Sequence, residues 1–163
     1  MISPSYGKIE IKDVPKLLLE YYEKNKHYDS GYEITIGTDS QNFSDTKVVV
    51  VIAMRCIGHG GIYAYDVLRV DRINDVRMKL NFETNLSLQY ANQIMEIIEL
   101  HEKYHDMYAN TNFAIHVDAG NNKNGKTKDL IPGIVGWIKA MGYECVVKPD
   151  SYTSSSIADK ISK

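Results

Sequence analysis

The chain has 163 residues, enough for one domain with a proper hydrophobic core. Its 44% hydrophobic and 25% charged residues are those of a folded globular protein, which excludes a disordered or fibrous chain. A formal net charge of −2 excludes binding to nucleic acid by bulk positive charge and leaves only a local basic patch open.

The opening stretch, "MISPSYGKIEIKDVPKLL", has neither a charged-then-apolar leader pattern nor a run of about 20 apolar residues. The expectation is a cytoplasmic protein with no membrane partner. "VPKLLLEYYEKNKHYD", Val14 to Asp29, reads as a helix, with Asp13 as its N-cap and Pro15 in its first turn. Residues 1–30 are thus an N-terminal helical extension to a single domain over 1–163.

"GYEITIGTDSQ", Gly31 to Gln41, alternates and reads as a strand, and "NFSD" makes a turn. "KVVVVIAMRCI" is a β-branched run and reads as a central strand. "GHGG" reverses the chain into "IYAYDVLRVDR", completing a three-stranded antiparallel meander. From Leu80 the period becomes helical. Glu83, Ser87, Tyr90, Ala91, Ile94 and Ile98 share one stripe, and the helix extends to about Tyr104. "NTNFAIHVD" is a fourth strand, Leu130 to Met141 a helix closed by Gly142, "YECVVK" a fifth strand and "SSSIADKIS" a short last helix. This order predicts an α/β fold with a five-stranded mixed sheet flanked by helices. Cys56 and Cys145 lie far apart in strand-like runs and read as buried free thiols, with no zinc site.

Asp39 and Asp118 end the first and fourth strands, each on the less apolar face. If the two strands are parallel neighbours, both carboxylates converge at the end of the sheet where open α/β sheets place their sites. Each aspartate could also simply open a turn. Glu83 is a charge on the packing stripe of the long helix, which is costly without a partner. It could equally be a first-turn residue favoured by the helix dipole. Asp159 lies on the last helix, where it could instead cap Ser156. Carboxylates gathered in this way repel one another. A divalent ion with a preference for oxygen, Mg²⁺ or Mn²⁺, relieves that repulsion. Two such ions about 3.5–4 Å apart suit phosphodiester hydrolysis.

The β-β-β-α-β-α-β-α order, with acids in the first strand, first core helix, fourth strand and last helix, resembles RNase H. "NFETNLSLQYA" is similar to the segment that carries the helical glutamate of that fold, and "SSSIADKIS" to the terminal Ala-Asp element of its RuvC-type relatives. More narrowly, "IGTDSQ", "HVDAG…NGKTKDLI", "GWIKAMGYE" and "KPDSYTSSSIADK" resemble the bacterial YkuK-type RNase H-like family. The resemblance implies a metal-dependent nuclease that uses water and no covalent protein intermediate. It also implies Asp39, Glu83, Asp118 and Asp159 as both catalytic residues and ligands of Mg²⁺ or Mn²⁺. Asp150, in "KPDSY", is the alternate fourth ligand. Lys123, Lys126 and Lys128 form a small basic loop beside this site that could contact phosphates of a nucleic-acid partner, RNA, DNA or hybrid. A binding module without turnover is the alternative reading.

Gly120 to Thr127 also spells the nucleotide-binding pattern G-x-x-x-x-G-K-[ST]. Only one strand and one short helix follow it, where a nucleotide-binding core needs several later strands. Its interior, "NNKN", lacks the small residues that let backbone approach a phosphate. Binding of a nucleoside triphosphate is therefore the third reading.

Overall fold

The computed structural model describes residues 1–120 and 127–163. Most of the pattern from Gly120 to Thr127, including Lys123 and Lys126, lies outside the described residues. Among the described residues, seven strands form one sheet: β1 (Ile2–Ser3), β2 (Gly7–Lys8), β3 (Tyr32–Asn42), β4 (Thr46–Cys56), β5 (Gly60–Val70), β6 (Asn112–Gly120) and β7 (Glu144–Lys148). Their spatial order is β2-β1-β5-β4-β3-β6-β7. The five expected strands are all present, and the meander β3-β4-β5 is antiparallel and in register over its full length. The sheet exceeds the expected five strands because two short N-terminal strands extend its β5 edge, through Ile2 opposite Tyr65. The extension before residue 30 is therefore part strand and part helix.

The helices are α1 (Val14–Asn25), α2 (Val76–Leu100), α3 (His105–Ala109), α4 (Ile131–Ala140) and α5 (Asp159–Ser162), the last preceded by a π-helical turn at Thr153–Ala158. Asp13 does not cap α1. It is already helical, and its carboxylate accepts instead from the Glu10 N–H, 2.9 Å away. The long helix α2 begins one turn before Leu80, because Asp75 caps it by accepting from the Met78 N–H at 2.8 Å. It ends at Leu100, since His101 is extended (φ −128°, ψ 105°). The chain then makes a separate helical turn at Glu102–Tyr104 and forms α3.

Strand β4 is central, and its run from Val48 to Met54 is wholly buried, as a β-branched strand covered on both faces must be. The even-numbered residues of β3 and β4, Ile34, Ile36, Val48, Val50 and Ile52, pack with Leu18 of α1, Ile94 and Ile98 of α2 and Ile138 of α4 in the main core. The opposite face of β4, with Val49, Val51 and Ala53, packs a smaller core against Ala158, Ile157 and Ile161 of the terminal helix. No helix among the described residues is long and apolar enough to cross a membrane.

Candidate functional site

Strands β3 and β6 are parallel neighbours, in register from Glu33↔Asn112 to Thr38↔Val117. Asp39 and Asp118 each stand one residue past the last matched pair, at the carboxyl end of the sheet. Side chains alternate along a strand. Ile34, Ile36, Ile115 and Val117 therefore enter the main core, while Thr35, Gly37 and His116 face the terminal helix. Asp39 and Asp118 fall on this second face.

The terminal helix lies very close to β3. A Cβ on Gly37 would stand 2.6 Å from the Ser154 nitrogen, so only glycine admits this approach. A polar seam fixes the helix start. Thr35 Oγ1 and Thr153 Oγ1 are 2.6 Å apart, and the Thr153 N–H donates to His116 Nδ1 at 3.2 Å. His116 is thus a satisfied residue of its strand. Burial, with the nearby Arg55 charge, pushes its imidazole down to about 4. At the helix end, the Ser162 hydroxyl donates to Asp39 Oδ2 at 2.6 Å.

Glu83 comes from the other side of the sheet. Thr38 and Ser40 face α2, where Thr38 Oγ1 lies 2.7 Å from Ser87 Oγ and Ser40 donates to Glu83 Oε1. Ser40 is thus the hydrogen-bond partner that a buried carboxyl on the packing stripe demands.

The carboxylates act on one another. Burial raises Asp39 above the ordinary carboxylate range and Ser162 opposes it, while Asp118 and Asp159 raise it further. Burial likewise pushes Glu83 up to about 8, with Ser40 opposing and Asp39 and Asp118 adding to the rise. Asp150, by contrast, is exposed in the turn after β7. Lys128 is exposed in the helical turn Lys128–Leu130 before α4.

Two lysines that the sequence did not single out complete the arrangement. Lys148 Nζ lies 2.8 Å from Asp118 Oδ1, and Lys163 Nζ lies 2.7 Å from Asp159 Oδ2. Ser40, Ser162 and Thr153 were also missed. The available signals were faint: a charge ending an apolar strand at Lys148, and a hydroxyl three residues after Asp159.

Four carboxylates with neighbouring hydroxyls are the donor chemistry of a hard divalent ion, and burial with mutual repulsion is the condition such an ion relieves. As placed, each carboxylate has one oxygen turned to a serine or lysine. No three His, Cys, Asp or Glu side chains among the described residues gather as an ion requires. The residues therefore fit the ion in kind, and loading it needs them to turn from their present partners.

Two solved structures of the Mos1 transposase catalytic domain, with raltegravir and Mg or Mn, align over 83% of this chain at 10% identity and TM-score 0.31. The chain spans 58% and 57% of those chains, and the likeness is too distant to bear on the site. Uncharacterized protein YkuK of Bacillus subtilis (strain 168) is 35% identical over 166 residues, covering 98% of this chain and 94% of that protein. The family described as Ribonuclease H-like matches residues 13–163, which contain all four carboxylates. This chain belongs to the Ribonuclease H-like family.

Proposed function

We propose that this protein hydrolyses phosphodiester bonds in nucleic acid with Mg²⁺ or Mn²⁺ held by Asp39, Glu83, Asp118 and Asp159. The observation that carries the reading is the parallel register of β3 and β6, which puts Asp39 and Asp118 each one residue past its last matched pair, on the same face of the sheet. Family membership and the mutual effect of the carboxylates support it. Bound ions would neutralise charge on the phosphate and make water a better nucleophile at neutral pH.

The chain's own residues prepare the site. Ser162 and the terminal helix hold Asp39, and Ser40 holds Glu83. Exposed Lys128, with Lys123 and Lys126 outside the described residues, offers positive charge to a phosphate backbone. Cleavage by water needs no covalent attachment to the protein.

A second reading, a nucleic-acid or protein binding module without turnover, is favoured by one observation. Every carboxylate already has a protein partner.

The deciding experiment is a cleavage screen of RNA–DNA hybrid, branched DNA and single-stranded RNA in Mg²⁺ and in Mn²⁺, run beside the Asp39→Asn/Asp118→Asn variant. Cleavage by the native chain and none by the variant supports the proposal. Equal cleavage by both comes from a contaminant and rejects it. No cleavage, together with no Mn²⁺ binding, selects the binding module.

A further inference from the structure

Strands β6 and β7 are parallel and matched one to one as far as Val117↔Val147, but the next pair is Gly120↔Lys148. Asp118 and Ala119 are therefore extra residues on β6, a bulge of the kind that re-aims side chains beside functional sites. The bulge sets Lys148 opposite Gly120. A Cβ there would stand 3.3 Å from Lys148 Cβ and 3.7 Å from its Cδ. The lysine stem therefore lies over the glycine, and its ammonium reaches back to Asp118 Oδ1 at 2.8 Å. That oxygen is buried and has no aligned hydrogen bond among the described residues. What Lys148 supplies is thus charge at short range rather than a directed bond.

The two sides of this contact differ. The Lys148 side chain is 46% exposed and that of Asp118 is 18% exposed. An ammonium on a flexible, half-exposed stem is loosely held and readily rehydrated. A doubly charged ion at the same oxygen would replace it with more charge and more ligands. The freed ammonium would remain at the rim of the site, where any phosphate brought to the carboxylates must lie.

We infer that Lys148 is the resident counter-ion of Asp118. It occupies Asp118 while no divalent ion is bound, yields that oxygen on loading, and then takes a phosphate oxygen of the nucleic-acid strand. Ion loading and nucleic-acid binding are thereby coupled, each favouring the other. The inference rests on Asp39, Glu83, Asp118 and Asp159 being ion ligands.

The test is Mn²⁺ titration, followed by loss of the free-ion spin-resonance signal, on the native chain and on Lys148→Met, Lys148→Arg and Asp39→Asn. Removing the competitor should tighten Mn²⁺ binding about three- to tenfold in Lys148→Met, with Lys148→Arg close to native. In EDTA, Lys148→Met should melt lower by about 2–4 °C, because the cluster loses its compensating charge, and should gain more than the native chain on adding Mn²⁺. Ca²⁺, which also takes oxygen ligands, should strengthen binding of labelled DNA and RNA oligonucleotides by the native chain more than by Lys148→Met.

Mn²⁺ affinity that is unchanged or weaker in Lys148→Met, or equal melting in EDTA, overturns the counter-ion role. Equal strengthening by Ca²⁺, or no binding of any oligonucleotide by the native chain, overturns the phosphate role. If native chain and Lys148→Met both bind no Mn²⁺, or Asp39→Asn binds it as the native chain does, the ion-ligand reading itself falls. Tight binding lost in Asp39→Asn but unaltered in Lys148→Met overturns this inference alone.

Discussion

Ser40 Oγ donates a 2.5 Å hydrogen bond to Glu83 Oε1, one residue along β3 from Asp39. Successive residues of a strand face opposite sides. Ser40 therefore holds Glu83 on the α2 side, while Asp39 faces the terminal helix on the other. The two carboxyls thus straddle one strand, one held from the terminal helix through Ser162 and the other reached from α2.

Glu83 makes stability depend on pH. Burial holds its carboxyl near 8, against an ordinary 4.5. Between those values the native chain keeps a proton that the unfolded chain has released. The contribution is full below the lower value and is lost as pH rises through the upper one, at up to about 1.4 kcal/mol per pH unit. Urea midpoints in EDTA should fall from pH 6.5 to 8 for the native chain, and this fall should be absent in Glu83→Gln.

His116 has the opposite sign. Its imidazole is held near 4, against an ordinary 6.5. Protonation would also break the bond it accepts from the Thr153 N–H. Its contribution is present above 6.5 and is lost as pH falls through 4. From 4.5 to 6.5 the two slopes oppose each other. His116→Asn keeps an acceptor for Thr153 and removes the titration. Its stability should therefore rise on acidification from pH 6.5 to 4.5, by up to about 1.4 kcal/mol per unit, as read by urea denaturation.

Two glycines should respond oppositely to alanine. At Gly37 the new methyl meets the Thr153–Ser154 backbone, which can give only if the terminal helix moves. Gly37→Ala should cost about 1–3 kcal/mol by overpacking and weaken any Mn²⁺ binding through Asp159. Gly136 is exposed inside α4 with nothing within 4 Å of its added Cβ. Gly136→Ala should stabilise by about 0.5–1 kcal/mol. Thermal midpoints of the two variants decide both.

Ser162→Ala should raise Asp39 further. The hydroxyl has one hydrogen and two acceptors in reach, Asp39 Oδ2 at 2.6 Å and the Asp159 carbonyl at 3.0 Å, and the shorter contact to a carboxylate takes it. Without it, Asp39 keeps its burial and its acidic neighbours and loses the main opposing effect. Carboxyl NMR should show Asp39 titrating at higher pH than in the native chain. Stability at pH 7 should drop by about 1–3 kcal/mol.

The sequence by itself determined five of the strands, the principal helices and the placing of Asp39 and Asp118 toward the carboxyl ends of theirs, although β3 continues to Asn42 and β6 to Gly120. Those features rest on local periodicity, which survives in a one-dimensional reading. It also marked Glu83 as a charge that needed a partner. The tertiary structure alone decided that β3 and β6 are parallel neighbours, that the terminal helix meets Asp39 through Ser162, and that Lys148 answers Asp118 across a bulge. The strands at Ile2–Ser3 and Gly7–Lys8 were invisible for a related reason: two residues carry no period, and they are strands only through their pairing, with each other and with Tyr65. Ser162 reaches Asp39 over 123 residues of chain, and no local pattern encodes such a meeting. It follows from which faces can be buried together once the whole sheet is assembled.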